Sequence, residues 1–278
     1  MLLPFWYQSM MVFLLGLIIG SFLNVVIYRY HTGKSLSGHS HCLSCGHVLR
    51  WYELFPLISY ICLRGKCKKC GCTIPVRYFL VELSTALLFL LTFLQFGASV
   101  LTLFSLTLIA LLIIVVVYDI YHMVIPNELV IFVGILALVY YVIVFGLVWE
   151  QNVFLLHIGA AFGSFLFYGG LWLVSKGRWI GFGDAKLAIP LGFIVGIPAV
   201  FSFIVLSFWV GAVLSLVWMW LPKIRDILVR CCTKNTVVNY TKSFTIKSEV
   251  PFAPFIITAF LLVFLYQVDV LQLISIFI

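Results

Sequence analysis

A chain of 278 residues in which 64% of positions are hydrophobic and 9% are charged is not a water-soluble globule, whose charged share is roughly 25%. The apolar residues come in blocks of about 17 to 25, the length a helix needs to cross a hydrocarbon layer roughly 30 Å thick. Strands of a membrane β-barrel would alternate in polarity over about ten residues, and the stretch from Leu101 to Val117 does not, so the barrel is discarded.

In chain order, eight helical spans are predicted, at about 9–28, 78–96, 100–118, 124–148, 153–174, 184–199, 201–221 and 252–275. The first has no basic residue before it and no small-x-small cleavage site after it, so it reads as a retained helix and not as a secretory signal. Two long polar segments interrupt the pattern, at about 29–77 and 222–250. No repeat and no low-complexity linker is visible. Short loops rich in Lys and Arg stay in the cytoplasm. All 17 basic residues fall after the first span (Arg29 to Arg77), after the fifth (Lys176, Arg178, Lys186) or after the seventh (Lys223 to Lys247). Eight spans put every one of them on a single side, with both termini outward. The formal charge of +8 is thus a topology signal, and no nucleic-acid partner is expected.

The first polar segment holds six of the eight cysteines. Four of them form Cys42-x-x-Cys45 and Cys67-x-x-Cys70, separated by 21 residues, which is zinc-ribbon spacing. Each Cys-x-x-Cys turn brings two thiolates to one ion, and two turns complete a tetrahedron. Two disulfides are the competing reading, disfavoured on the reducing cytoplasmic side. A loop this short and polar lacks a core of its own, so a closed, structural site gives it a reason to fold. Arg64, Lys66, Lys68 and Lys69 are expected to favour the thiolates. Cys62 and Cys72 read as spare, and His39, His41 and His47 read as loop residues able to replace a sulfur. Cys231 and Cys232 look like unpaired thiols.

Ionisable groups at membrane depth are candidates for function. Asp119 closes the third span in Tyr118-Asp119-Ile120-Tyr121-His122-Met123-Val124-Ile125-Pro126-Asn127, and Asp184 opens the sixth in Gly181-Phe182-Gly183-Asp184-Ala185-Lys186-Leu187. The topology puts both at cytoplasmic helix ends at similar depth, so they can meet. Two adjacent carboxyls share a proton, which gives one base and one acid for water attack on a carbonyl. Either aspartate alone reads more simply as an interfacial cap; the pair gives the functional reading its weight. Gly181 and Gly183 allow close approach to Asp184, Pro126 interrupts the entry to the fourth span, and Lys186 reads as snorkelling to the interface. Glu82, Glu128, Glu249 and Asp269 are rival acids, the last predicted near the outer face. His122 and Glu128 are near enough in sequence to tune Asp119, and nothing in the sequence shows that they do.

Several of these motifs agree in order with one family. Gly20-Ser21-Phe22-Leu23-Asn24-Val25-Val26-Ile27-Tyr28-Arg29, the paired cysteine turns, Pro56-Leu57-Ile58-Ser59-Tyr60, Gly65-Lys66-Cys67, Arg77-Tyr78 with Glu82, the Gly-x-Gly-Asp-x-Lys-Leu run at 181–187, Asp119 with its downstream Ile125-Pro126-Asn127, and Pro251-Phe252-Ala253-Pro254-Phe255 together resemble the type IV prepilin peptidases. The resemblance implies an all-α polytopic membrane fold of about eight helices. It implies residues 1–77 as an N-terminal helix with a cytoplasmic zinc-binding loop and possible methyltransferase region, and 78–278 as a membrane-embedded aspartic peptidase. Asp119 and Asp184 would be catalytic, supported by Gly181, Gly183, Lys186, Pro126 and Asn127. The implied substrates are prepilin or pseudopilin precursors with a short basic leader, cut at the cytoplasmic face of a bacterial inner membrane. S-adenosylmethionine is the implied cofactor for methylating the new N-terminus, with no glycine-rich nucleotide fold in view. Ala253, where relatives often carry Gly, is a tolerable departure. The alternatives are a transporter using the aspartates as ion sites and a zinc-loop scaffold without peptidase activity.

Overall fold

The computed structural model describes residues 4–32, 35, 38–146, 151–220, 251–270 and 272. The basic run from Lys223 to Lys247, the thiols Cys231 and Cys232, the rival acid Glu249 and Lys34 lie outside the described residues. Those described form helices α1 (Phe5–Arg29), α2 (Ile58–Cys62), α3 (Val76–Phe96), α4 (Val100–His122), α5 (Asn127–Phe145), α6 (Gln151–Ser175), α7 (Phe182–Val195), α8 (Ile197–Trp220) and α9 (Ala253–Tyr266). A one-turn 3-10 helix covers Trp51–Glu53. The only β pairing among the described residues is two isolated bridges, His41 with Val48 and Lys66 with Thr73. The chain is an all-α membrane protein.

Each of the eight predicted spans coincides with a helix, but six of them, α1, α3, α4, α5, α6 and α8, are long and apolar enough to cross a membrane. The other two, α7 and α9, have 14 residues each and so reach about 21 Å, short of a full crossing. For α7 the reason is burial. Ala185, Leu187, Ala188 and Leu191 have no exposed surface, so this helix satisfies its apolar character against neighbouring helices instead of lipid. It ends where Gly196 turns to φ 76° and Pro198 follows. The third span also runs further than predicted. Met123 takes the left-handed conformation (φ 53°) that stops α4, so Asp119 sits inside the last turn and not beyond it. Pro126, extended at φ −64°, ψ 134°, then fixes the start of α5.

The described residues group into two compact units, one from the N-terminal residues to Leu94 and the other from Gln95–Leu216 with the residues around α9. In the first, α1 and α3 run antiparallel at very close range. Phe5 stacks on Phe93 with ring centroids 5.6 Å apart, and the Asn24 side chain donates to the Tyr78 carbonyl at 3.1 Å. Between these ties, a Cβ added to Gly16 would lie 2.6 Å from the Ala86 Cα, so glycine is what lets the backbones approach. In the second unit α7 packs on α5 and α6, α4 on α5, and α9 on both α4 and α7. Fully buried Leu108, Ile109, Leu112, Leu187, Leu191, Ile256 and Phe260 fill that core.

Gly16→Val should lower the thermal midpoint of the detergent-solubilised protein by the equivalent of about 1–3 kcal/mol of overpacking. Gly134→Ala, where an added Cβ meets nothing within 4 Å, should leave it unchanged.

Candidate active site and metal centre

The second unit brings the two aspartates into one buried site. Asp119 and Asp184 are 5% and 6% exposed, and the charge of Asp119 acts on the Asp184 carboxyl. Their helices are aligned through intermediaries, since α5 bridges α4 to α7 and α9 packs on both.

Asp184 is the third residue of α7. Its Oδ2 accepts the Gly181 N–H at 3.1 Å while its own N–H donates to the Gly181 carbonyl at 3.1 Å, a reciprocal cap closed entirely by glycine backbone. A Cβ on Gly181 would stand 3.3 Å from that same Oδ2, and one on Gly183 would stand 3.1 Å from the Ile125 Cβ. The second glycine is thus where the α4–α5 connection lies against the start of α7. Asp119 is held from elsewhere, because its carboxyl accepts the N–H of Ala253, the first residue of α9. In each carboxyl one oxygen is fixed by backbone and the other, Oδ2 of Asp119 and Oδ1 of Asp184, is buried without a hydrogen-bond partner among the described residues.

The supporting residues divide. Lys186 reaches α5, its Nζ donating to Asn127 Oδ1 at 3.0 Å and lying 4.9 Å from the centre of the Phe182 ring. It ties the start of α5 to α7 two residues after Asp184. Pro126 acts only through the start of α5. His122 packs its ring on Tyr118 at 4.4 Å. Glu82 accepts the Leu57 N–H at 2.9 Å in the first unit, and Asp269 accepts the Ser202 hydroxyl at 2.9 Å, so both rivals have structural partners. Ala253 is the residue sequence reasoning missed. Its methyl carries no chemistry, but a helix start held between Pro251 and Pro254 leaves backbone donors in need of an acceptor, and that signal was available.

In the first unit Cys42, Cys45, Cys67 and Cys70 place their sulfurs within 4.8 Å of one another, a cluster able to hold a metal ion. The Cys42 and Cys70 sulfurs are 3.9 Å apart, against roughly 3.8 Å along the edge of a tetrahedron with metal–sulfur bonds of about 2.3 Å. The cysteines are free thiols, and none of the sulfur contacts is a disulfide. Two matching hairpins build the cluster, a repeat the sequence reading overlooked. Cys42 N–H donates to the His47 carbonyl at 2.8 Å and Gly46 N–H to the Cys42 carbonyl at 2.9 Å; Cys67 N–H donates to the Cys72 carbonyl at 2.8 Å and Gly71 N–H to the Cys67 carbonyl at 2.9 Å. Gly46 (φ 66°) and Gly71 (φ 69°) make the two turns.

Burial opposes ionisation of Cys42, yet the backbone N–H groups of Cys45 and Ser44 and the thiols of Cys72 and Cys67 outweigh it and bring the thiol down to about 6. Lys68 lies 5.0 Å over the Tyr52 ring. Backbone donors from His47 and Cys72 act to lower Cys45 and Cys70, but burial and hydrogen bonds with neighbouring thiols outweigh them and push both up to about 11. A bound divalent cation would favour the thiolates instead. His47 is not a candidate ligand in this arrangement, since its Nε2 lies 3.4 Å from Glu53 Oε2. Cys72 is not spare, because its sulfur touches two of the four.

Comparison with known proteins adds two family models. One, described as the Bacterial Peptidase A24 N-terminal domain, matches residues 14–96; the other, described as the Type IV leader peptidase family, matches residues 106–216. Curated relatives called prepilin leader peptidase/N-methyltransferase match as well. That of Myxococcus xanthus is 35% identical over 76% of this chain and 63% of its own length, so the chain spans less than two thirds of that relative. That of Bacillus subtilis is 33% identical over 72% of this chain and 79% of its own, and that of Pseudomonas aeruginosa 33% over 74% and 79%. No solved structure matches.

Gly183→Val should force Ile125 off the start of α7 at a cost of about 1–3 kcal/mol, read as a lower thermal midpoint. Gly170→Ala, in open space on α6, should not move it.

Proposed function

The chain belongs to the type IV leader peptidase family, and from that membership we propose that it is an aspartic endopeptidase that removes the short basic leader of prepilin-like precursors. The single observation that supports this most is the buried carboxyl pair, each member anchored through one oxygen by backbone and left with the other unengaged.

The chemistry follows from a shared proton. The ionised member takes a proton from a water molecule, whose oxygen attacks the scissile carbonyl carbon while the protonated member donates a hydrogen bond to the carbonyl oxygen. As the tetrahedral species collapses, the C–N bond breaks, the leaving amine takes a proton from the pair, and the leader departs as a carboxylate. No covalent intermediate with the chain is needed. Gly181 leaves room for the anchored Oδ2 of Asp184, Gly183 lets Ile125 lie against the start of α7, Pro126 sets the first turn of α5, and Lys186 with Asn127 fixes that turn relative to α7.

Substrate access is proposed from the cytoplasmic side of the inner membrane, where a precursor's leader stays in water while its apolar helix remains in the bilayer. A groove of about 630 Å³ starts at Asn127 and Lys186 and continues along apolar Val130, Gly134, Ile189 and Phe193, which suits such a helix. The transporter alternative needs a continuous polar path. Buried hydroxyls in this unit are instead used locally, Ser105 donating to the Leu101 carbonyl and Ser164 to the carbonyls of Ala161 and Ala188.

The proposal divides the chain as residues 1–77, with the cysteine cluster holding zinc as a structural cross-link, and 78–278, the peptidase. Four thiolates close the zinc shell and leave no position for catalysis. S-adenosylmethionine-dependent methylation of the new N-terminus corresponds to the relatives' second named activity. The sequence has no glycine-rich nucleotide cradle for that cofactor, and no step here depends on it.

With a purified prepilin precursor and mass spectrometry of the products, Asp119→Asn and Asp184→Asn should each slow leader removal by about 10²–10⁴-fold while leaving membrane insertion and thermal midpoint unaltered. Processing at the normal rate by either variant refutes the pair. Metal analysis should find one zinc per chain, lost in Cys67→Ser together with a fall in thermal stability.

A further inference from the structure

The two hairpins of the cysteine cluster are equivalent residue for residue, and that equivalence exposes an asymmetry. Position 47 in the first, five residues after Cys42, corresponds to position 72 in the second, five residues after Cys67. Each of these residues gives its carbonyl to the N–H of the first cysteine of its own turn, at 2.8 Å in both. Their side chains have opposite fates. His47 is drawn to Glu53, whose carboxylate is itself anchored by the Arg50 N–H at 2.8 Å. Cys72 has no such partner to hold it away, and its sulfur lies 3.4 Å from that of Cys42 and 3.2 Å from that of Cys70.

The Cys42 and Cys70 sulfurs, 3.9 Å apart, define one edge of the four-sulfur cluster, and Cys72 lies against that edge in contact with both ends. No other described cysteine has this place. Cys62, the remaining free thiol of the unit, is exposed at the end of α2. We propose that Cys72 is a reserve ligand of the metal site: a fifth thiol that takes over coordination when Cys42 or Cys70 is lost, giving its proton to solvent as it binds. The inference rests on the reading of the cluster as a metal site and goes beyond it.

While all four ligands are in place, the Cys72 thiol acts as an outer partner that orients the sulfurs at the edge, a role of the kind whose loss weakens metal binding by about 10–100-fold. Once a ligand is removed, the same short contacts make Cys72 the nearest replacement. Cys45 and Cys67 have no such substitute. The consequence is a shell that tolerates loss on one edge only.

The test is zinc content per chain and thermal midpoint of the full-length protein in detergent, after equilibration with zinc alone. Cys42→Ser and Cys70→Ser should each retain one zinc per chain, while Cys67→Ser, Cys42→Ser/Cys72→Ser and Cys70→Ser/Cys72→Ser should hold none. Single variants as empty as the doubles would overturn the reserve role while leaving the metal site itself standing. A wild-type chain that binds no zinc would overturn both. Where a single variant does not accumulate, wild type and Cys72→Ala are compared for zinc release to EDTA. Release at least tenfold faster from Cys72→Ala supports the reserve thiol, and equal rates exclude it.

Discussion

Everything at the candidate active site depends on backbone N–H groups that hold two carboxyls where solvent cannot. A carboxyl group about 5% exposed needs a donor in place of the water it has lost. The chain supplies one to each from the start of a helix, Gly181 for Asp184 and Ala253 for Asp119. Helix starts suit this task because their first N–H groups have no intrahelical acceptor and carry the positive end of the helix dipole. Both short helices start at this site, α7 two residues before Asp184 and α9 at the Ala253 whose N–H Asp119 accepts. The packing of α9 on both α4 and α7 then converts two distant sequence segments into one pair.

The N-terminal unit solves a different problem. The segment between α1 and α3 is too polar for a hydrophobic core, and among its described residues the regular structure amounts to one short helix, one 3-10 turn and two bridges. Two copies of one hairpin, each closed by a glycine turn and each presenting two thiols, form a cluster able to hold a metal ion, and such an ion would do what a core otherwise does. Glu53 serves the same loop by holding both the Arg50 N–H and the His47 ring, and those contacts keep its carboxyl below the usual value of 4.5.

Much of this was legible in the residue order. Apolar blocks located the helices, basic residues separated the loops, and the types and spacing of Cys42, Cys45, Cys67 and Cys70 announced a metal site before any geometry. What stayed hidden was whatever depends on backbone or on tertiary neighbours. Hydropathy cannot distinguish a helix buried by protein from one bathed in lipid, so α7 passed for a full span. Asp119 was placed at the end of its helix because span prediction stops where hydropathy falls, whereas the chain stops where Met123 turns left-handed. Ala253 works through its N–H, to which only the flanking Pro251 and Pro254, as markers of a helix start, point. Cys72 and His47 each follow a Cys-x-x-Cys-Gly run, so their equivalence is legible in the spacing, but which of the two side chains reaches the cluster is not.

The central claim is that the two unengaged oxygens, Oδ2 of Asp119 and Oδ1 of Asp184, address one and the same molecule. An experimental structure of the protein with a hydroxyl-bearing peptide isostere of the leader junction tests it directly. The account predicts the isostere hydroxyl within hydrogen-bonding distance, about 2.5–3.0 Å, of both oxygens at once. A hydroxyl that reaches one carboxyl while the other faces elsewhere would contradict it.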